Sequence, residues 1–440
     1  MSQELSGAEK RKLLNKVIDG INKDAGETAI GFATDVAKPL RFIPTPSEEL
    51  NLMLGGGFPI GRITEIFGNN SSGKTSVTIE TIGEDMAAYP DNFWGWIESE
   101  ESFDPDYARD VHGVDLDRLI YIDITDEGSE KALDRLESLM RTGVLRGFVV
   151  NSVAGLSPKA EMDEAIGKQS IALQARMMSK LMRKWTTLIG KRDIVALFIN
   201  QQRTDIAARF GDPNVTTGGR ALSYYASLRF GMNRLMLQDS DPITKEDGLK
   251  IGARVAKNRC VYDNPYKKCE YYVIYGVGVD KLYEVMENAP DAGILRKSGS
   301  WFYYEEEDGE LIIAEKATID GVEVKDHPMK FQGKAKLRAF LTENEWFANQ
   351  LTDELRGKAA RGELMPKFQT DEEMKEIERL EKLDKELAKE FEKETKAPAK
   401  AKRTKELERG AEDEDKPKTA PARKKKAAPK ADDKVAVAQA

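Results

Sequence analysis

The chain has 440 residues, 40% of them hydrophobic and 33% charged, with a formal net charge of −8. That is room for one large domain with a real core and at least one smaller one; it excludes a uniformly basic nucleic-acid binder but not local basic surfaces. Two cysteines and two histidines exclude a disulfide framework, a CxxC metal site, a His-based triad and a multi-histidine metal centre.

Met1-Ser2-Gln3-Glu4 does not open a signal peptide, and no apolar run reaches the about 18 residues of a membrane span, so an intracellular protein without a membrane partner is expected. Leu13, Leu14, Val17, Ile18 and Ile21 recur at helical spacing among lysines, which predicts an amphipathic helix over 8–23. The Gly/Ala/Thr-rich stretch 25–36 reads as extended. From about 40 to 280, apolar strands alternate with helical segments, the pattern of a largely parallel α/β sheet. Strands are expected at 63–67, 93–98, 119–123, 147–151, 194–199 and 271–275, with a long helix from Leu173 to Ile189.

Residues 281–356 read as a small α+β module containing Trp301-Phe302-Tyr303-Tyr304 and a helix from Lys334 to Leu341. A charged helix is expected within 357–395, where Ile377, Leu380, Leu383, Leu387 and Phe391 form one stripe that suits a coiled-coil contact or a solvated single helix. From 396 the Lys/Ala/Pro/Glu-rich composition predicts disorder. The tail's Arg423-Lys424-Lys425-Lys426 is either simply solvated or weakly attractive to phosphate.

Chemistry concentrates first at Gly68-Asn69-Asn70-Ser71-Ser72-Gly73-Lys74-Thr75, a complete GxxxxGK[ST] loop between a strand-like and a helix-like run. Such a turn aims successive backbone N–H groups, and a helix N-terminus, at a polyphosphate. Lys74 is placed to reach the β- and γ-phosphates of a nucleoside triphosphate, and Thr75 to offer its hydroxyl to Mg²⁺. Ser76 follows in the first helical turn.

Ligands of parallel α/β sheets collect beyond the carboxyl ends of strands. The 93–98 strand ends in Glu98-Ser99-Glu100-Glu101, where a carboxylate can orient water for attack on a γ-phosphate, or merely face solvent. The 147–151 strand ends in Asn151, where a Mg²⁺-associated acid is expected; an amide accepts a bond from metal-bound water but brings no negative charge and cannot act as a base. Gln201, at the end of the 194–199 strand, suits a γ-phosphate sensor coupled to the long polar loop running to Arg220.

Together these segments resemble the RecA family of DNA strand-exchange ATPases. The likeness runs in order through Gly61 to Phe67, Asp104-Pro105-Asp106-Tyr107-Ala108-Arg109, Asn151 to Glu161, Leu173 to Ser179, Phe198 to Gln201, Thr216 to Ser227, Gly299 to Phe302 and Gln332 to Ala335. It covers about 8–356. The resemblance implies a RecA-like P-loop core over 37–280 and a small C-terminal domain over 281–356. Residues 1–36 would be an N-terminal polymerisation helix and strand docking on a neighbouring protomer; the plainer alternative folds that helix onto its own core.

By the same resemblance, Glu100 matches the catalytic glutamate, Asp104 and Tyr107 flank the adenine of ATP, and Gln201 links the γ-phosphate to DNA. Lys257 and Arg259 lie where two lysines reach ATP across a subunit boundary. Loops at about 163–170 and 201–219 would hold single-stranded DNA. Ile166 and Arg203 fall within these loops, Arg176, Ser179, Arg183, Gly218, Gly219 and Arg220 match DNA-contacting positions, and Ile206 matches an apolar residue inserted between base triplets. Taken alone, Arg176 and Arg183 would more simply be the polar face of a helix.

Three departures mark a divergent member: Asn151 for aspartate, Asp205 and Ser223 for lysines, and a basic rather than acidic tail. The implied function is an ATP- and Mg²⁺-dependent recombinase that forms filaments on single-stranded DNA and exchanges strands with homologous duplex DNA. It would act in the cytoplasm of a bacterial cell, or of a host if phage-encoded. Two other readings stay open: a barely hydrolysing filament or mediator that assists another recombinase, and a hexameric helicase, which the C-terminal module and Gly-Gly loop disfavour.

Overall fold

The computed structural model describes residues 5–364 except 27, 37–38, 165–172, 205–213, 239–240, 263–266, 307 and 362. Ile166, Asp205, Ile206, the charged stripe of 371–394 and the tail from 396 lie outside the described residues, as does the side chain of Arg203.

Helix α1 (Gly7–Ala25) begins with a capping box in which the Ser6 side chain and the Glu9 backbone, and the Glu9 side chain and the Ser6 backbone, bond reciprocally. None of its residues is buried, and Leu13, Leu14, Val17 and Ile21 are exposed. The stretch after it is not simply extended, because Ala33–Val36 winds into a helical turn, α2. Its entry is fixed by Asn22, whose Oδ1 accepts from the amides of Ala29 and Ile30, so the chain folds back onto α1.

The core follows as β1 (Phe42–Ile43), α3 (Glu48–Leu54), β2 (Phe58–Pro59), β3 (Ile63–Gly68), α4 (Lys74–Ala88), β4 (Phe93–Glu98), α5 (Pro105–Asp110) and β5 (Leu119–Asp123). Then come α6 (Ser129–Thr142), β6 (Leu145–Asn151), a 3-10 turn at Val153–Gly155, α7 (Lys159–Met162), α8 (Leu173–Arg192), β7 (Val195–Thr204), β8 (Asn214–Thr216) and α9 (Ala221–Tyr225). Strands β9 (Leu228–Leu235), β10 (Gly248–Asn258), β11 (Lys268–Ile274) and β12 (Gly278–Val279) complete it.

The main sheet runs β12-β11-β10-β9-β3-β7-β6-β4-β5, with β8 paired to β7. From β9 to β5 every pairing is parallel; β10, β11 and β12 extend the sheet antiparallel. The expected mostly parallel α/β architecture is therefore present, although β9 and β10 lay outside the predicted strands. Alternation sends Val149 of β6 to the side packed by α4, and Phe148 and Val150 to the side packed by α6 and α8. Just before them a glycine is needed at 147, because a Cβ there would lie 2.4 Å from the ring of Trp94 on the neighbouring strand β4.

The remaining elements are α10 (Lys281–Asp291), β13 (Arg296–Ser298), β14 (Trp301–Tyr303), β15 (Ile313–Ile319), β16 (Val322–Pro328), β17 (Lys330–Gln332), α11 (Gly333–Glu343) and α12 (Glu345–Ala360). They share a third apolar cluster built on Phe302, Phe331, Phe340, Phe347 and Leu351. Buried Glu284 of α10 ties this module to α3, accepting from Ser47 Oγ at 2.7 Å and from the Glu48 amide at 2.6 Å. No helix among the described residues is long and apolar enough to cross a membrane.

Candidate nucleotide site

Register gathers the predicted residues at the carboxyl edge of the sheet: Gly68 of β3 lies opposite Gln201 of β7, and Asn151 of β6 opposite Glu98 of β4. The loop from 68 to 75 joins β3 to α4. Gly73 holds φ +80° at the helix N-cap, and a Cβ on Gly68 would meet the Met232 carbonyl oxygen at 2.0 Å. Both glycines are therefore required, one by a left-handed conformation and one by close backbone approach.

No side chain caps the α4 N-terminus, leaving its first amides for an anion. Lys74 is buried and curls back, donating to the carbonyls of Gly68 (3.2 Å) and Asn69 (2.6 Å) and to Ser72 Oγ (3.2 Å). Burial lowers its pKa, and nearby Glu100 partly opposes that shift. Phosphate oxygens could take over the lysine's bonds, so a polyphosphate fits this loop. Thr75 and Ser76 are half-buried in the first turn, while Asn69, Asn70 and Ser71 are exposed.

Beyond β4 the chain turns back over its own end. Exposed Glu100 accepts at Oε1 from Gln201 Nε2 (2.8 Å) and from Ser152 Oγ. Ser99 Oγ donates to the Ser152 carbonyl (2.8 Å) and accepts from the Ser152 amide (2.9 Å), interlocking the turns after β4 and β6. A Cβ on Gly155 would stand 2.4 Å from Ser99 Oγ, so that contact requires glycine.

Asn151 is buried, and its Nδ2 donates to Glu98 Oε2 (3.0 Å) and Ser102 Oγ (3.2 Å). The bonds that tie Glu98 and Ser102 to Asn151, and Ser152 to Glu100, span 49 to 53 residues and carry no local sequence signal. The described residues contain no cluster of three or more His, Cys, Asp or Glu side chains able to hold a metal.

Asp104 accepts from the Tyr107 amide at 3.0 Å and caps α5. The Tyr107 phenol interacts with Ser76 in the first turn of α4, and its ring meets the His112 ring edge-on at 4.8 Å.

Gln201 connects to more than Glu100. Its backbone N–H donates to Asn200 Oδ1 (2.9 Å), which also accepts from Thr217 Oγ1 (2.5 Å). Asn200 Nδ2 donates to Glu65 Oε1 (2.9 Å) and the Thr217 carbonyl (3.1 Å), and Arg229 Nε donates to the other Glu65 oxygen. This buried chain joins β3, β7 and β9 to the residue just before Gly218.

Gly218 and Gly219 have φ +82° and +76°; a Cβ on either would press on Val153 Cγ1 (2.8 Å) or Ala175 Cβ (2.7 Å). The glycines thus sit against the start of α8. Arg176 and Arg183 are exposed on that helix with half-buried Ser179 between them, and Arg220 is exposed next to Gly219. Lys257 and Arg259 fall elsewhere: Lys257 Nζ donates to the carbonyls of Ser223 (2.8 Å) and Tyr224 (2.9 Å), and Arg259 is exposed just past β10. Burial, Arg259 and Arg229 lower the Lys257 pKa.

A family model described as the RecA N-terminal domain matches residues 12–280. Three curated relatives, each named protein RecA, align along most of both chains. That of Corynebacterium urealyticum is 37% identical over 79% of this chain and 86% of its own. That of Mycobacterium avium is 35% identical over 80% and 93%, and that of Frankia casuarinae 34% identical over 83% and 97%.

Proposed function

The chain belongs to the RecA family of DNA-dependent ATPases that serve recombination and repair, and on that premise we propose how its own residues divide the work. Nucleotide binding, DNA binding and filament formation come with the family. The nucleotide is ATP, and Mg²⁺, when bound, would supply neutralisation of the phosphate charge. Residues 68–76 cradle the phosphates: the loop amides and Lys74 hold oxygen atoms, and the Thr75 hydroxyl faces the metal. Tyr107 supplies a flat face for the adenine, and Asp104 keeps α5, and so that ring, in place.

Glu100 orients the attacking water and takes its proton. Gln201, bonded to the same carboxylate oxygen that would face that water, reads whether a γ-phosphate is present. Asn151 orients through its amide rather than contributing charge. Lys257 and Arg259, remote from the chain's own loop in hydrogen bonding, suit a neighbouring protomer's nucleotide, where a cation supplied in trans stabilises transition-state charge.

The DNA partners are a single strand and a homologous duplex. Arg176, Ser179, Arg183, Gly218, Gly219 and Arg220 form one surface from α8 and the end of the second loop, with guanidinium and amide donors suited to sequence-independent phosphate contact. Ile166, Arg203 and Ile206 belong to the same proposal through their loops. The exposed apolar stripe of α1 docks on the next protomer, and work in the cytoplasm fits these partners.

One observation carries the coupling: Glu100, Gln201, Asn200 and Thr217 form a continuous hydrogen-bonded path from the hydrolytic carboxylate to Gly218. The test is ATP hydrolysis with and without single-stranded DNA. Stimulation by the strand, lost in Gln201→Ala with ATP still bound, is the expected result. A wild-type chain that binds DNA but shows no stimulation at any protein concentration would favour the mediator reading.

A further inference from the structure

Glu98 is 1% exposed at the end of β4, yet its carboxylate accepts four hydrogen bonds. Oε1 takes the amides of Ser99 (3.1 Å) and Glu100 (2.7 Å), while Oε2 takes Trp96 Nε1 (3.1 Å) and Asn151 Nδ2 (3.0 Å). Every partner is a donor, so the site is built for an acceptor-only group. Two of those four donors are the main chain that carries Glu100, and another is the side chain expected beside the metal.

We propose that Glu98 is the positioning residue of the hydrolytic turn, and that an amide at 151 is required by it rather than a defect of the site. Resting on the reading of Glu100 as the water-orienting group, this places the acidic member of the Glu98–Asn151 pair on β4. Glu98 pins the 99–100 backbone, and so fixes where the Glu100 side chain departs toward Ser152 and Gln201. Asn151 is the complementary donor, bridging Glu98 to Ser102.

An aspartate at 151 would set one carboxylate against another across about the 3.0 Å now spanned by a hydrogen bond, with both groups shielded from water. Supplying the charge that position 151 lacks should therefore harm the enzyme. Glu98→Gln fails in the opposite sense, because its new N–H group must face donors on one side or the other. Combining the two changes restores a donor on 98 facing an acceptor on 151, although Trp96 Nε1 then loses a partner.

The experiment compares wild type, Asn151→Asp, Glu98→Gln and the double variant in two readouts. In DNA-stimulated hydrolysis, each single variant is expected to lose roughly tenfold in kcat with KM for ATP within about twofold, since neither change reaches the phosphate loop. The double variant should recover at least about half of that loss on a logarithmic scale, a coupling that independent sites do not show. In thermal unfolding without nucleotide, Asn151→Asp should melt lower than wild type and the double variant higher than Asn151→Asp.

Turnover at or above wild type in Asn151→Asp, or purely additive losses in the double variant, would overturn the proposal. The unfolding series reports the pair even if the wild-type chain proves not to hydrolyse ATP. A failure of the Glu100 reading is thereby separated from a failure of this one.

Discussion

Replacing Glu80 by glutamine should stabilise the chain above neutral pH, by an amount set by the burial of its carboxyl group. Glu80 is buried on α4, and burial pushes its carboxyl up to about 7 from an ordinary 4.5, with Lys281 at 3.7 Å and the Val279 amide partly opposing. The folded chain holds a proton that the unfolded chain has already released. Stability from this group is full below pH 4.5 and is lost as pH rises through about 7.

The gap between those values is worth about 3 kcal/mol at pH 8, but under about 1 kcal/mol at pH 5, where the folded carboxyl is still neutral. Glutamine copies the neutral form, keeps an acceptor for Val279 at the Oε1 position (3.3 Å), and brings an N–H group near His112 Nδ1, which lies 3.8 Å from Glu80 Oε2 and has no hydrogen-bond partner. Burial and Lys281 hold His112 down to about 4; measured at the same pH, its contribution largely cancels between the two chains. Urea unfolding followed by tryptophan fluorescence at pH 5 and pH 8 is the assay, since Trp94 and Trp96 lie in the same apolar cluster as α4. Equal or lower stability of Glu80→Gln at pH 8 would refute the burial argument.

Three further outcomes are expected. Gly218→Ala combines a left-handed backbone with a Cβ 2.8 Å from Val153, and should weaken single-stranded DNA binding by at least about tenfold in fluorescence anisotropy while ATP affinity changes little. Arg176→Ala should lower DNA affinity for all sequences alike, and reduce the slope of log K against log salt by about 0.7 if the guanidinium neutralises one phosphate of a single strand. Leu14→Asp should abolish self-association in analytical ultracentrifugation and leave the unfolding temperature unchanged, because α1 contributes no buried residue.

The phosphate loop was legible because its requirements are local: two glycines, a lysine and a hydroxyl act within one turn between adjacent elements. Strands β6 and β7 announced themselves as continuous apolar runs, Phe148 to Val150 and Val195 to Ile199, the mark of strands covered on both faces. Strands β9 and β10 were harder, since Arg229, Asn233, Arg234, Lys250 and Arg254 interrupt them toward the sheet's outer end. What could not be read was pairing across distance. Glu98 looked like one acid in an acidic loop until β4 and β6 fixed its register against Asn151. Glu65 and Arg229, 164 residues apart, likewise acquire meaning only once β9 pairs with β3. Gly218 and Gly219 suggested a special loop, but only their approach to Val153 and Ala175 says why glycine is needed.

ATP held at residues 68–76 is expected to set a DNA-binding filament through Glu100, Gln201 and Thr217. Electron microscopy of the full chain on single-stranded DNA with a non-hydrolysable ATP analogue tests it most directly, with Lys74→Ala and Leu14→Asp alongside. A regular extended helical filament in the wild type, absent from both variants, is the predicted result. Isolated rings, or a filament that forms equally well without nucleotide, would contradict it.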